Sequence, residues 1–206
     1  MKKIPTIFDT DPGIDDAFAL SFLNKSEIFD VKILSSVAGN VKIEHTTRNL
    51  RGIAYAMDWQ VPIFKGLDKP ILGKQILAEG FHGENGLLGY KFKDDELAKL
   101  ENQPAIKAMA EVLEKNEKTL IIAVGPLTNI ASLILARPDL KEKIKEITIM
   151  GGAIGMGNVT ASAEFNIFAD PEAAAIVFAS GIKINMVGLN AVSYTHLRAH
   201  ETPEHL

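Results

Sequence analysis

The chain has 206 residues, of which 47% are hydrophobic and 23% charged, with a formal net charge of −4 and no cysteine. That length and apolar content can bury one sizeable core, and the mixed, slightly acidic charge leaves no basic stripe for nucleic acid. The absence of cysteine excludes disulfide frameworks, zinc–thiolate sites and iron–sulfur clusters, so any metal must be held by oxygen or histidine.

Taken in chain order, Met1-Lys2-Lys3 runs into Ile4-Pro5-Thr6-Ile7-Phe8 and then acidic residues. No apolar stretch is long enough for a signal peptide or a membrane span, so a cytoplasmic protein with no membrane partner is expected. Short β-branched runs predict strands at residues 5–8, 31–37, 61–64, 120–124, 146–150 and 183–187. Helical spacing of apolar residues predicts helices at 16–23, 44–57, 105–115, 129–136 and 171–179. This alternation predicts an α/β fold with an open, mostly parallel, Rossmann-like sheet flanked by helices. Residues 67–99 break the rhythm with glycines, a lone histidine and a charged run, and are read as a long loop. Such loops are binding elements or lids, or else plain surface excursions.

The end of the chain is different. Val192-Ser193-Tyr194-Thr195-His196-Leu197-Arg198-Ala199-His200-Glu201-Thr202 resembles a translated transposase adapter from sequencing-library preparation. Residues 1–191 are therefore expected to form one domain, with 192–206 a non-native tail to be excluded from fold reasoning. His196 and His200 are poor catalytic candidates on that basis, the alternative being a helical pair that binds metal.

Chemistry concentrates at Asp9-Thr10-Asp11-Pro12-Gly13-Ile14-Asp15-Asp16, between a predicted strand and a predicted helix. Any one aspartate there could simply cap the helix. Four together, turned by Pro12-Gly13, converge strongly enough to need protons or a cation, and an all-oxygen site suits calcium or magnesium. The spacing is not that of an EF-hand. Gly39-Asn40, Gly125-Pro126-Leu127-Thr128-Asn129 and Met150-Gly151-Gly152 each follow a later strand, where open parallel sheets bind ligands. Each alone reads as an ordinary turn. The glycines from 151 to 157 lack the spacing of a dinucleotide fingerprint, whereas the run from Asn158 to Asn166 offers amide and carboxylate groups suited to sugar hydroxyls.

Together the Asp9 to Asp16 segment, Gly125 to Asn129, and Ala163-Glu164-Phe165-Asn166 followed by Asp170-Pro171-Glu172-Ala173 resemble the inosine-uridine-preferring nucleoside hydrolases, over residues 3–189. The resemblance implies the nucleoside hydrolase fold, here its amino-terminal part, and hydrolysis of ribonucleosides to base and ribose with Ca2+ as cofactor. It implies Asp11 as general base and metal ligand, Asp16 as bidentate ligand, and the carbonyl of Thr128 as a further ligand. Asp15 and Asn40 would hold ribose hydroxyls, Asn158, Glu164 and Asn166 the rest of the ribose, with Met150 beside the sugar, His82 near the base and Asp9 behind the ligands. Read without the resemblance, His82 is an exposed loop histidine, Met150 a core residue, and Glu164 and Asn166 helix-entry groups. A homodimer or homotetramer is implied, and base preference is open. Family members continue further, with an aspartate and a histidine expected beyond this chain's end, so impaired activity of the 206-residue polypeptide is expected. Two other classes compete: a calcium-binding module or non-catalytic homologue, and a haloacid-dehalogenase-like phosphatase, which needs a later lysine and a distal acidic pair.

Overall fold

The structure, a computed structural model, describes residues 3–78 and 83–191. Alternation of apolar side chains across each strand builds the architecture. In β1 (Ile4–Thr10) the consecutive residues Ile7 and Phe8 join separate apolar cores on opposite faces of one sheet. The same division holds for its neighbours. Ile7 is in register with Ile33 of β2 (Phe29–Ser36) and Ile121 of β4 (Thr119–Ala123), and Phe8 with Leu34 and Ile122.

With β3 (Ile63–Lys65), β5 (Ile144–Met150) and β6 (Ile184–Val187), six strands run in the order β3-β2-β1-β4-β5-β6, every described pair parallel. One face is covered by α1 (Ile14–Lys25) and α2 (Ile43–Ala56), through Leu20, Leu23, Leu50 and Ile53. The other is covered by α3 (Ala105–Lys115), α4 (Thr128–Ala136) and α6 (Pro171–Phe178), through Met109, Leu113, Ile130 and Val177. All six predicted strands and all five predicted helices are present, with no end displaced by more than two residues. The short helix α5 (Phe165–Ala169) and the 3-10 turns Pro138–Lys143 and Asp94–Glu96 were not predicted, being too short for periodicity to register.

Strand order reverses between β1 and β4, so the chain segments leaving those two strands diverge and open a crevice at their carboxyl ends. The turn of residues 11–13 and the segment from Val124 to Leu127 lie there. The described parts of the long connection after β3 pack back over this end. Leu67 N–H donates to Asn129 Oδ1 at 2.9 Å, Ile71 N–H to Asp170 Oδ2 at 3.0 Å, and Ala78 N–H to the carbonyl of Asn40 at 3.0 Å. Ile76, Leu77 and Ala78 of this stretch thereby border the crevice.

Candidate active site

The acid turn is built by its own backbone. β1 ends at Thr10, Pro12-Gly13 reverses direction, and α1 begins at Ile14. Asp16, in the first turn of α1, reaches back so that Gly13 N–H donates to its Oδ2 at 2.9 Å, the return half of a capping box. Thr10 Oγ1 donates to Oδ1 at 2.5 Å. Asp11 is 1% exposed. Its Oδ2 accepts from Asn40 N–H at 2.7 Å, and its carbonyl accepts from Asn40 Nδ2 at 3.0 Å. A Cβ on Gly39 would stand 2.2 Å from Asp11 Oδ2, and one on Gly125 2.6 Å from Oδ1. The carboxylate thus sits between two backbone segments that only glycine lets approach so closely.

Burial dominates the electrostatics. It raises the Asp16 carboxyl to about 7, with the neighbouring Asp15 charge adding to the rise, while the bonds from Thr10 and Gly13 oppose it. Asp11 is pushed well above the ordinary carboxylate range, first by burial and then by Asp16. Asp9 lies fully buried behind them and is raised to about 7 by burial, against the opposing bonds from Ser35 and Asn129; its Oδ2 has no partner. Burial of this kind favours the protonated form of a carboxyl, and a bound cation would favour the ionised one.

The facing wall is also polar and buried, but saturated with hydrogen bonds. Glu164, the N-cap of α5, accepts from Gly152 N–H at 2.9 Å, Asn166 N–H at 3.0 Å and Ile167 N–H at 3.3 Å. Asn166 Nδ2 donates to the carbonyls of Val124 at 2.8 Å and Met150 at 3.1 Å. Asn158 is exposed, its Oδ1 accepting from Phe165 N–H at 2.9 Å. Between the walls lies a cavity of about 580 Å3, the size of a small-molecule site. Asp11, Asp15, Asp16, Asn40, Met150, Asn158, Glu164 and Asn166 line it, and Ile76, Leu77, Ala78, Val124, Val159, Phe165 and Leu189 supply an apolar remainder.

The family model for inosine-uridine preferring nucleoside hydrolase matches residues 6–206. The chain belongs to this nucleoside hydrolase family. It is 42% identical over 205 residues to a non-specific ribonucleoside hydrolase of Escherichia fergusonii, covering 99% of this chain and 66% of that protein. Among solved structures it resembles a plant nucleoside hydrolase (TM-score 0.83, 35% identity, 92% of this chain and 61% of that one). It also resembles a purine-preferring ribonucleoside hydrolase from Gardnerella vaginalis (TM-score 0.82, 31% identity, 90% and 61%). The chain therefore spans just under two thirds of the length of these nucleoside hydrolases.

Eight of the ten residues singled out from the sequence meet around the one cavity. His82 lies outside the described residues, as do residues 192–206 with His196 and His200. Thr128 does not line that cavity. It is the first residue of α4, its hydroxyl donates to Asp170 Oδ2 at 2.6 Å, and it borders a separate small cavity. Val124, four residues earlier, where β4 has just ended, does line the nucleoside hydrolase cavity, and its carbonyl accepts from Asn166 Nδ2. Glu164 fulfils both of its readings, capping a helix and lining the cavity.

Several residues carry no role in the sequence reading. From the sequence Gly39 and Gly125 read only as turn residues following strands; the approach to Asp11 that requires them is visible only across strands. Asn129 is fully buried, and its Nδ2 donates to Asp9 Oδ1 at 2.8 Å and to the carbonyl of Ser36 at 3.0 Å. Asp170 joins Ile71, Thr128 and Ala173. The acid turn brings two buried carboxylates, Asp11 and Asp16, to the cavity, and oxygen donors of this kind suit a hard cation. Asp15 is exposed at the rim, and among the described residues no three acidic or histidine side chains form a ready cage.

Proposed function

We propose that this protein hydrolyses the N-glycosidic bond of ribonucleosides, releasing free base and ribose. The observation that carries the reading is the pairing, across one cavity of about 580 Å3, of an acid turn with an uncompensated charge problem and a hydrogen-bonding wall suited to sugar hydroxyls. Relatives with 42% identity named ribonucleoside hydrolases support it. The acidic pair after β1 would also suit a phosphatase, but the ring of Asn40, Asn158, Glu164 and Asn166 offers polyol recognition and no cationic side chain for phosphate.

Asp11 and Asp16 would hold a hard divalent cation, which we take to be calcium. When bound it supplies positive charge that lets both carboxyls ionise and acidifies a nearby water. Asp11, held by Asn40 and flanked by Gly39 and Gly125, takes the proton of the attacking water as it adds to the anomeric carbon. The C–N bond breaks with its electron pair leaving on the base, which takes up a proton from solvent. The proton held by Asp11 returns to solvent, so the net change is addition of one water. Asp15 and Asn40 on one side, and Asn158, Glu164 and Asn166 on the other, orient the ribose. Their negative charge favours the oxocarbenium-like sugar.

The apolar side chains of Ile76, Leu77, Ala78 and Phe165 offer no hydrogen-bonding group to tell one base from another. Such a surface suits stacking of a base, and a relative at 42% identity is named a non-specific ribonucleoside hydrolase. The protein is expected to act as a homodimer or homotetramer, which light scattering reads directly. The test of function is release of free base from inosine, uridine and cytidine, with and without a calcium chelator. Base release abolished by chelator supports the proposal. Release of phosphate from nucleotides without release of base would replace it.

A further inference from the structure

One peptide group orients Asp16. The Pro12–Gly13 peptide donates its N–H to Asp16 Oδ2 at 2.9 Å, and its carbonyl accepts from Asn49 Nδ2 at 3.1 Å. Asn49 sits on α2 and is 4% exposed. The same Nδ2 donates to the carbonyl of Asn85 at 2.8 Å.

Asn85, 5% exposed, in turn organises residues 83–90. Its Oδ1 accepts from Leu87 N–H at 3.2 Å and Gly89 N–H at 2.9 Å, and its Nδ2 donates to the carbonyl of Tyr90 at 2.5 Å. The turn passes through positive φ at Gly83, Gly86, Leu88 and Gly89. At Gly86 (φ 83°) a Cβ would come within 2.9 Å of Asn49 Nδ2 and 3.2 Å of the Pro12 carbonyl. Glycine is needed there for conformation and for space alike.

We propose that Asn49 is a positioning residue, whose single amide couples the orientation of Asp16 in the acid turn to the folding of the 83–90 turn. Its two donated bonds run to carbonyls 73 positions apart in sequence, one leading through Gly13 to a cavity-lining acid and one leading into a loop. A buried amide shared this way makes the loop's order and the acid's orientation one event, because losing either bond leaves a buried donor or carbonyl unpaired. Asn49 touches no substrate in this account. The proposal rests on the hydrolytic reading for its kinetic consequence, but not for the coupling itself.

Two variants test it, each measured for melting temperature, kcat and KM on a ribonucleoside, and the 15N–1H resonance of Gly13. Asn49→Asp keeps the side chain's shape but removes its donor. Asn85→Ala leaves the donor and loosens the turn. Ile53→Val on the same helix is the packing control. Both test variants are expected to shift the Gly13 resonance and to lower kcat by about tenfold, in the range typical of lost supporting groups around a site. The control is expected to lower melting temperature with kcat and the Gly13 resonance unchanged. A Gly13 resonance that ignores Asn85→Ala, or a kcat that follows melting temperature across all three proteins, overturns the coupling. If the wild-type protein releases no base from any ribonucleoside, the hydrolytic reading falls, and the Gly13 resonance still decides the coupling.

Discussion

The two walls of the cavity are equally buried and oppositely satisfied. On the acid turn, Asp11 and Asp16 are 1% and 6% exposed, and both carboxyls are raised first by burial and then by a neighbouring charge, that of Asp16 at Asp11 and that of Asp15 at Asp16. On the facing wall Glu164 is 3% exposed, yet it accepts three backbone N–H groups. The second wall is a finished hydrogen-bond frame. The first is unfinished without a proton or a cation, which is what a site for activating water requires. Burial alone does not mark a reactive group; burial without compensation does.

Breaking the first wall is expected to have the largest effect. Asp11→Asn keeps shape and hydrogen bonds but cannot take a proton, and base release from a ribonucleoside should fall by about 10^3-fold or more, with melting temperature kept or raised. Breaking the second wall acts on structure as well. Glu164→Ala leaves the N–H groups of Gly152, Asn166 and Ile167 without their acceptor and should cost about 1–3 kcal/mol of stability in denaturant unfolding, together with a raised KM.

The smallest effect sharpens the contrast through pH. Asp9 and Asp16 are raised from 3.8 to about 7, so between roughly pH 4 and 7 the folded chain binds more protons than the unfolded one. Stability therefore falls as pH rises through that window. In chelator, melting temperature should decline from pH 4.5 to 7.5, and calcium should recover more of it at pH 7.5 than at pH 5. Asp9→Asn, at a position that does not line the cavity, should flatten the decline while reducing base release far less than Asp11→Asn. A melting temperature that rises steadily across this window would show that these carboxyls are not raised.

Much of this was legible in the chain. Strands declared themselves through β-branched runs such as Val31 to Val37, and the acid turn through its density of aspartates. The fold then gathered Asn40, Met150 and Glu164 at the strand ends, as parallel sheets do. What stayed hidden depends on direction and not on residue type. Thr128 follows a strand within a polar motif, yet it already lies in α4 and outside the cavity, whereas an unremarkable valine, Val124, lines it. Asn49 lay in a helix whose amphipathic pattern gave no reason to single out one buried amide.

The central claim is that Asp11 and Asp16 share one divalent cation, and calcium titration calorimetry in two buffers of different ionisation enthalpy near pH 6.5 tests it most directly. Wild-type protein should bind one calcium with a heat that depends on buffer, because protons leave the two raised carboxyls. Asp16→Asn should bind at least about 100-fold more weakly, with that buffer dependence reduced. Identical isotherms for the two proteins, or calcium binding that displaces no proton, would contradict the account.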